Sequence, residues 1–237
     1  MASQSIDLNA DLGEGAGFDL ELIPIVSSIN LCCGLHAGSL TASETVLKWA
    51  RQERQKRPLA VGAHPGLPDR RAMGRSSHVL PPDMLGEITH YQVEILTRLA
   101  WANDIALTHL KPHGALYHLA CSDSGIAGQM VRVAREFDLA VMGLPASALA
   151  SACEGKARFL AEGFAERGYQ ADGTLIPRGQ PGALLHDPAE AASQALRLAR
   201  AGLQTLCIHG DSPQAVAIAT TVRQALQAAG FTVAPCV

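Results

Sequence analysis

The chain repeats one pattern along its length. A short apolar or alternating run is followed by a stretch whose apolar positions recur at three- and four-residue spacing. Ser5 to Asp11 alternates apolar and polar residues and reads as the first strand. Val26 to Leu31, Leu59 to Ala63, Ile105 to Leu110, Leu139 to Leu144, Ala157 to Ala161 and Thr205 to Ile208 read as further strands, mostly as continuous apolar runs. A helix is expected through Val46, Leu47 and Ala50 towards Arg57, capped by Thr41 or Ser43. Others are expected from Pro82 to Asn103, Asp123 to Phe137, Ala189 to Ala201 and Pro213 to Ala229, with a short one ending at Ala152. Phe231 to Ala234 reads as a short closing strand. Two long loops rich in Gly, Pro and Arg, Leu67 to Pro81 and Gly168 to Asp187, interrupt the rhythm.

Strict alternation of strand and helix implies a parallel sheet with right-handed crossovers. No composition shift or linker marks a second unit, so residues 1–237 are expected to form one domain. An open sheet concentrates its chemistry at one switch point, whereas a barrel gathers every strand end at one mouth. Almost every strand here ends in polar residues: Asp11 and Glu14, Asn30 and His36, His64, Lys111 and His113, Glu162 and Arg167, His209 and Asp211. That distribution predicts a seven-stranded (β/α) barrel with parallel strands.

Four of these exits place one histidine each near a strand end: His36, His64, His113 and His209. His78, His90, His118 and His186 have no such placement and read as surface or loop residues. His109 lies within its strand and reads as structural. Asp7, Asn9 and Asp11 alternate along the first strand and share a face, and Asp11 with Glu14 is the expected carboxylate pair. Histidines plus carboxylates at one mouth fit two chemistries. One is a divalent metal that polarises a carbonyl or activates water. The other is metal-free acid–base work with a carboxylate as base and an imidazole or lysine as acid. Ligands drawn from separate strands leave no spacing signature, so both stay open. Arg75, Arg167 and Arg178 are placed to bring guanidinium groups over the mouth for a carboxylate or phosphate, while Arg70 and Arg71 read as a solvated basic loop.

Composition narrows the partners. The chain has 237 residues, net charge -3 and 4% aromatic residues, which argues against nucleic acid or an anionic membrane as partner. The opening residues carry no basic and apolar leader pattern, and no apolar run is long enough for a membrane span. The six cysteines, none in a C-x-x-C pair, read as reduced thiols of a cytoplasmic protein. Gly13-Glu14-Gly15 lacks the lysine of a Walker loop and the spacing of a dinucleotide loop, so no ATP or NAD site is expected in this chain.

Several motifs in fixed order resemble one family. Asp7 to Glu14, Asn30 to Gly38, Ala63 to Gly66, Lys111 to Tyr117, Glu162 to Arg167, Pro177-Arg178 and His209 to Asp211 are similar to those of the LamB/YcsF family, the A subunit of bacterial ATP-dependent 5-oxoprolinase. The resemblance runs from about Ser5 to Val233. It implies a barrel similar to polysaccharide deacetylases, and conversion of 5-oxo-L-proline, ATP and water to L-glutamate, ADP and phosphate. It also implies partner subunits B and C, with ATP handled mainly by those partners. The deacetylase likeness points towards a divalent metal, with Asp11, His64 and His113 as candidate ligands. On this reading Asp11 or Glu14 is a base on water or a metal ligand. His64 and His113, with His36, polarise the carbonyl or protonate the leaving nitrogen. Lys111 faces the substrate carboxylate or the developing oxyanion. Asn9, Asn30, His36, Arg75, Arg167, Arg178 and His209 are expected to contact substrate. Three positions depart from the family's usual motifs: Ser39 replaces an acidic residue, Leu67 an aromatic one, and Ser76 the second arginine of a loop pair. The alternatives are a stand-alone metal-dependent deacylase of a small lactam or N-acyl substrate, and a non-catalytic binding protein.

Overall fold

The computed structural model describes residues 4–76, 80–171 and 173–237. The expectation for His78 falls outside those residues. The elements in order are β1 (Ser5–Leu12), α1 (Asp19–Leu22), β2 (Ser28–Cys32), α2 (Leu40–Arg54), β3 (Ala60–His64), α3 (Pro82–Trp101), β4 (His109–Leu110) and α4 (Gly114–Ser122). They continue with α5 (Ser124–Glu136), β5 (Ala140–Gly143), α6 (Ala148–Cys153), β6 (Phe159–Phe164), α7 (Pro188–Arg200), β7 (Thr205–His209), α8 (Ala215–Ala228) and β8 (Thr232–Val233).

Strands β1 to β7 pair in parallel with their sequence neighbours, and β1 pairs with both β2 and β7, which closes the seven-stranded barrel. The eighth strand does not close it. It adds Thr232 and Val233 beside Ser5 and Ile6 at the start of β1. β4 is shorter than its apolar run predicts. Of Ile105 to Leu110, only His109 and Leu110 hold strand register, while Ile105 packs into the helix-facing core. β6 begins and ends later than expected, so Glu162 lies inside the strand and not after it.

Period-two alternation sorts the strand residues onto two buried faces. Leu8, Leu12, Ile29, Val61, Leu110 and Ile208 face the helices within one large apolar cluster. Burying each such side chain is worth about 1.5–3 kcal/mol relative to exposure. The barrel interior is different. Asp7, Asn9, Ser28, Asn30, His109, Glu162 and Thr205 fill much of it, all fully buried. The β5–β6 side is apolar, with Ala140, Met142 and Leu160. Space for His109 comes from Gly62, where an added Cβ would lie 2.2 Å from the imidazole.

One local expectation changes. α2 is capped by Ser39, whose side chain accepts from Ala42 N at 3.1 Å, and not by Thr41 or Ser43. Ser43 instead donates to Cys32 O at 2.7 Å. Arg70 is exposed, as expected, and is held as well: its guanidinium donates to Gly34 O at 2.8 Å and Gly38 O at 2.7 Å and ties the first long loop to the β2 exit. Among the described residues no helix is long and apolar enough to cross a membrane.

Candidate active site

The strand ends open into a cavity of about 580 Å³. Asp11, His64, Arg75, Lys111, His113, Arg167, Arg178 and His209 all line it, so eight of the residues singled out in the sequence meet at one mouth. Phe164, Leu175 and Ile176 supply an apolar wall, and His118, expected to be remote, stands at the cavity edge. Asn9, Asn30 and His36 are fully buried behind this lining.

Asp11 is fixed from below. Its Oδ1 accepts from Lys111 Nζ at 2.9 Å and from Asn30 Nδ2 at 2.8 Å. Its Oδ2 lies 3.3 Å from His64 Nε2 and 3.8 Å from His209 Nε2. Lys111 Nζ also reaches Glu162 Oε1 at 2.9 Å and Cys207 Sγ at 3.0 Å. The three ammonium hydrogens are thereby engaged by the protein. Burial alone would lower the lysine pKa, but Asp11 and the neighbouring groups raise it well above the ordinary value, so the amine stays charged. Asp11 is held well below the usual carboxylate range by His64 and Lys111, against the opposing effect of burial. Lys111 therefore acts on Asp11, and Glu162 on Lys111. Asn9 Nδ2 donates to Glu162 Oε1 at 3.1 Å and to Thr205 Oγ1 at 2.7 Å, one layer further down.

The histidines fall into two groups. His36, His64 and His113 surround Glu14. His113 Nε2 donates to Met73 O at 2.8 Å and His64 Nδ1 donates to Lys111 O at 2.7 Å. These carbonyls fix both tautomers, as outer partners do for imidazole ligands. The remaining nitrogens, His64 Nε2 and His113 Nδ1, then face each other at 3.1 Å with lone pairs inward. Glu14 Oε1 lies 2.9 Å from His113 Nδ1 and 3.7 Å from His64 Nε2. Three acceptors so close together call for a cation among them, either a proton or a metal ion. In the protonated arrangement the proton belongs on His64, whose pKa Asp11 and Glu14 raise despite burial. Burial lowers that of His113. His36 stacks on His113 with ring centroids 3.9 Å apart and donates from Nε2 to Glu14 Oε1 at 3.1 Å. Burial pushes it down to about 4, so it is neutral.

His209 stands apart. Its Nδ1 donates to Glu166 Oε1, its ring stacks on Phe164 at 5.6 Å, and its Nε2 faces the cavity near Asp11. Glu166 belongs to a motif recognised in the sequence but was given no role there. The usable signal was spacing: Glu162, Phe164 and Glu166 alternate and share one side of the chain. Arg167 is buried and ties the second long loop together through Ala183 O at 3.1 Å and Ile176 O at 2.8 Å. Ser39, the position of the missing family carboxylate, is an exposed helix cap away from the cavity lining.

The residue set suits a divalent cation. Atoms of Glu14, His36, His64 and His113 lie within 4.8 Å of one another; with His36 Nε2 engaged as donor to Glu14, the carboxylate and the free nitrogens of His64 and His113 form a mixed group of the kind that holds zinc-like ions.

Among solved structures, a lactam utilization protein from Thermus thermophilus is 38% identical, with a TM-score of 0.88 over 98% of this chain and 99% of that one. A polysaccharide deacetylase from Bacillus cereus has a TM-score of 0.54 at 15% identity, over 99% of this chain and 92% of that one. A family 4 carbohydrate esterase from Streptomyces lividans has a TM-score of 0.55 at 9% identity, over 99% and 93%. The last two likenesses are of fold, a closed parallel barrel with its strand ends at one mouth. The family model for LamB/YcsF matches residues 6–237, so the motifs at nearly every strand exit and the barrel that gathers them have one explanation: this chain belongs to the LamB/YcsF family.

Proposed function

We propose that this chain opens the lactam ring of 5-oxo-L-proline, or of its activated form, as the A component of an ATP-dependent 5-oxoprolinase. The observation that carries the reading is the convergence of His64 Nε2, His113 Nδ1 and Asp11 beside a carboxylate-backed histidine, His209, on one cavity floor, with Glu14 directly behind them. The 38% identical lactam utilization protein supports a lactam as substrate class. On this reading ATP is used by partner subunits B and C.

Opening a lactam requires attack by water on the ring carbonyl and a proton for the departing nitrogen. Asp11 is ionised, with Oδ1 anchored by Lys111 and Asn30 and Oδ2 shared with His64 at the cavity, where it is placed to receive the water proton. His209 presents Nε2 3.8 Å from the same carboxylate oxygen and delivers a proton to the leaving nitrogen, while Glu166 holds its other nitrogen. Lys111 keeps Asp11 oriented and charged. Glu14, His64 and His113 would hold a divalent ion, with Asp11 alongside and His36 orienting Glu14. A bound ion of that kind polarises a carbonyl and makes water more acidic.

The purified chain, combined with subunits B and C, 5-oxoproline and ATP, is expected to yield glutamate, and to yield none when this chain is omitted. Absence of glutamate from the complete mixture would remove the substrate assignment. Turnover of an N-acyl compound by this chain alone, without ATP, would replace it with a deacylase.

A further inference from the structure

The cavity has opposite charge at its two ends. Its floor carries Asp11 paired with the charged Lys111, and Glu14, Glu162 and Glu166 lie behind them, so the set is net negative. Its rim carries Arg75 and Arg178, which come from different loops: Arg75 from the segment after β3, Arg178 from the segment after β6. Both guanidinium groups converge on one atom. Arg75 Nη2 lies 3.4 Å and Arg178 Nη1 3.6 Å from Asp211 Oδ2, just past the end of β7.

Three features of this contact matter. Both distances exceed the roughly 2.7–2.9 Å of well-formed ionised hydrogen bonds, so the shared carboxylate is loosely held. Two guanidinium groups share one carboxylate, which leaves one positive charge unbalanced. Each guanidinium has five donors in a planar fork matched to two carboxylate oxygens, and each reaches only a single oxygen of Asp211. Arg75 and Arg178 line the cavity, whereas Asp211 does not. A ligand in the cavity reaches the pair from the side that Asp211 leaves open.

We propose that Arg75 and Arg178 form the recognition pair for a substrate carboxylate, and that Asp211 is an internal carboxylate holding the pair in place until the substrate's own carboxylate displaces it. This rests on the lactam-opening reading. With its carboxylate held at the rim, a cyclic amino acid turns its uncharged amide towards the acidic floor, which repels the opposite orientation.

Calorimetric titration tests the proposal, using the full chain alone and with subunits B and C. The probes are 5-oxo-L-proline, its neutral carboxamide and inorganic phosphate. Wild type is expected to prefer the acid over the amide. Arg75→Ala and Arg178→Ala should each weaken acid binding by about 10-fold, the size of one charged hydrogen bond, and leave the amide unchanged. Arg75→Lys should restore only part of the loss, because it keeps the charge and loses the fork. Asp211→Asn should tighten the acid about 3–10-fold by removing the competing charge at the same pair. Equal binding of acid and amide, or weaker acid binding in a folded Asp211→Asn variant, would overturn the proposal and leave lactam opening standing. If neither lactam binds but phosphate follows the same arginine and Asp211 pattern, the substrate reading fails and the anion pair stands. If no probe binds any variant, the recognition pair is ruled out.

Discussion

The two halves of the cavity floor use the same residue type for different work. On one side His36, His64 and His113 crowd around the single carboxylate of Glu14, and two ring lone pairs face each other at 3.1 Å. On the other side His209 has a carboxylate of its own, Glu166, and a ring nitrogen turned to the cavity. The first arrangement is starved of positive charge and suits a cation. The second pairs one imidazole with one carboxylate and leaves the other ring nitrogen to the cavity. What separates them is the partner of the second ring nitrogen. A backbone carbonyl at Met73 or Lys111 fixes a tautomer with an inward lone pair, whereas a carboxylate, Glu166, holds the His209 ring.

Variants at the two carboxylates should separate these roles. Glu14→Gln removes the negative charge around which the three imidazoles gather. It is expected to lower turnover by on the order of 10⁴-fold, the upper end for loss of a site group, and to abolish stoichiometric divalent metal in elemental analysis. Unchanged metal content would mean the histidine cluster is not a cation site. Glu166→Gln should lower kcat by about 10²-fold, with metal content retained. Loss of metal in this variant would erase the distinction between the halves.

A smaller effect concerns His109, which lies below both halves. Its Nε2 donates to Asn30 Oδ1 at 2.9 Å and its Nδ1 accepts from Thr108 Oγ1 at 3.0 Å, so the neutral ring is fully paired. Burial, together with the Lys111 charge, pushes it down to about 3 from an ordinary value of 6.5. A depressed histidine contributes stability that is present above the unfolded-state value and lost as pH falls towards the folded one. Stability should therefore decline between about pH 6.5 and pH 3, by up to roughly 3–5 kcal/mol from this group. In denaturant titrations His109→Asn should show a shallower decline between about pH 6.5 and 4.5. An identical slope would place the loss elsewhere.

Much of the architecture was legible in the chain. Seven apolar or alternating runs separated by helical periodicity gave a parallel barrel, and the polar residue at nearly every strand exit placed Asp11, His64, Lys111, His113 and His209 at one mouth. The residues behind them were harder to read. Glu166 and Glu162 are distant in sequence from His209 and Lys111, and only barrel closure brings each to its partner. Lys111 looked like a ligand-facing amine, but its hydrogens are engaged by Asp11, Glu162 and Cys207. The anchoring of Arg70 was not legible because its acceptors are backbone carbonyls, and a carbonyl leaves no trace in sequence.

By itself the sequence determined the strand count, the parallel order and the set of groups available at the mouth, because side-chain periodicity and strand-end position are local properties of the chain. The tertiary structure alone decided which imidazole nitrogen is free, which carboxylate oxygen faces the cavity, and that Arg75 and Arg178 meet at Asp211. Those are properties of hydrogen-bond partners contributed by different strands and loops, and such partners come within reach only when the barrel closes.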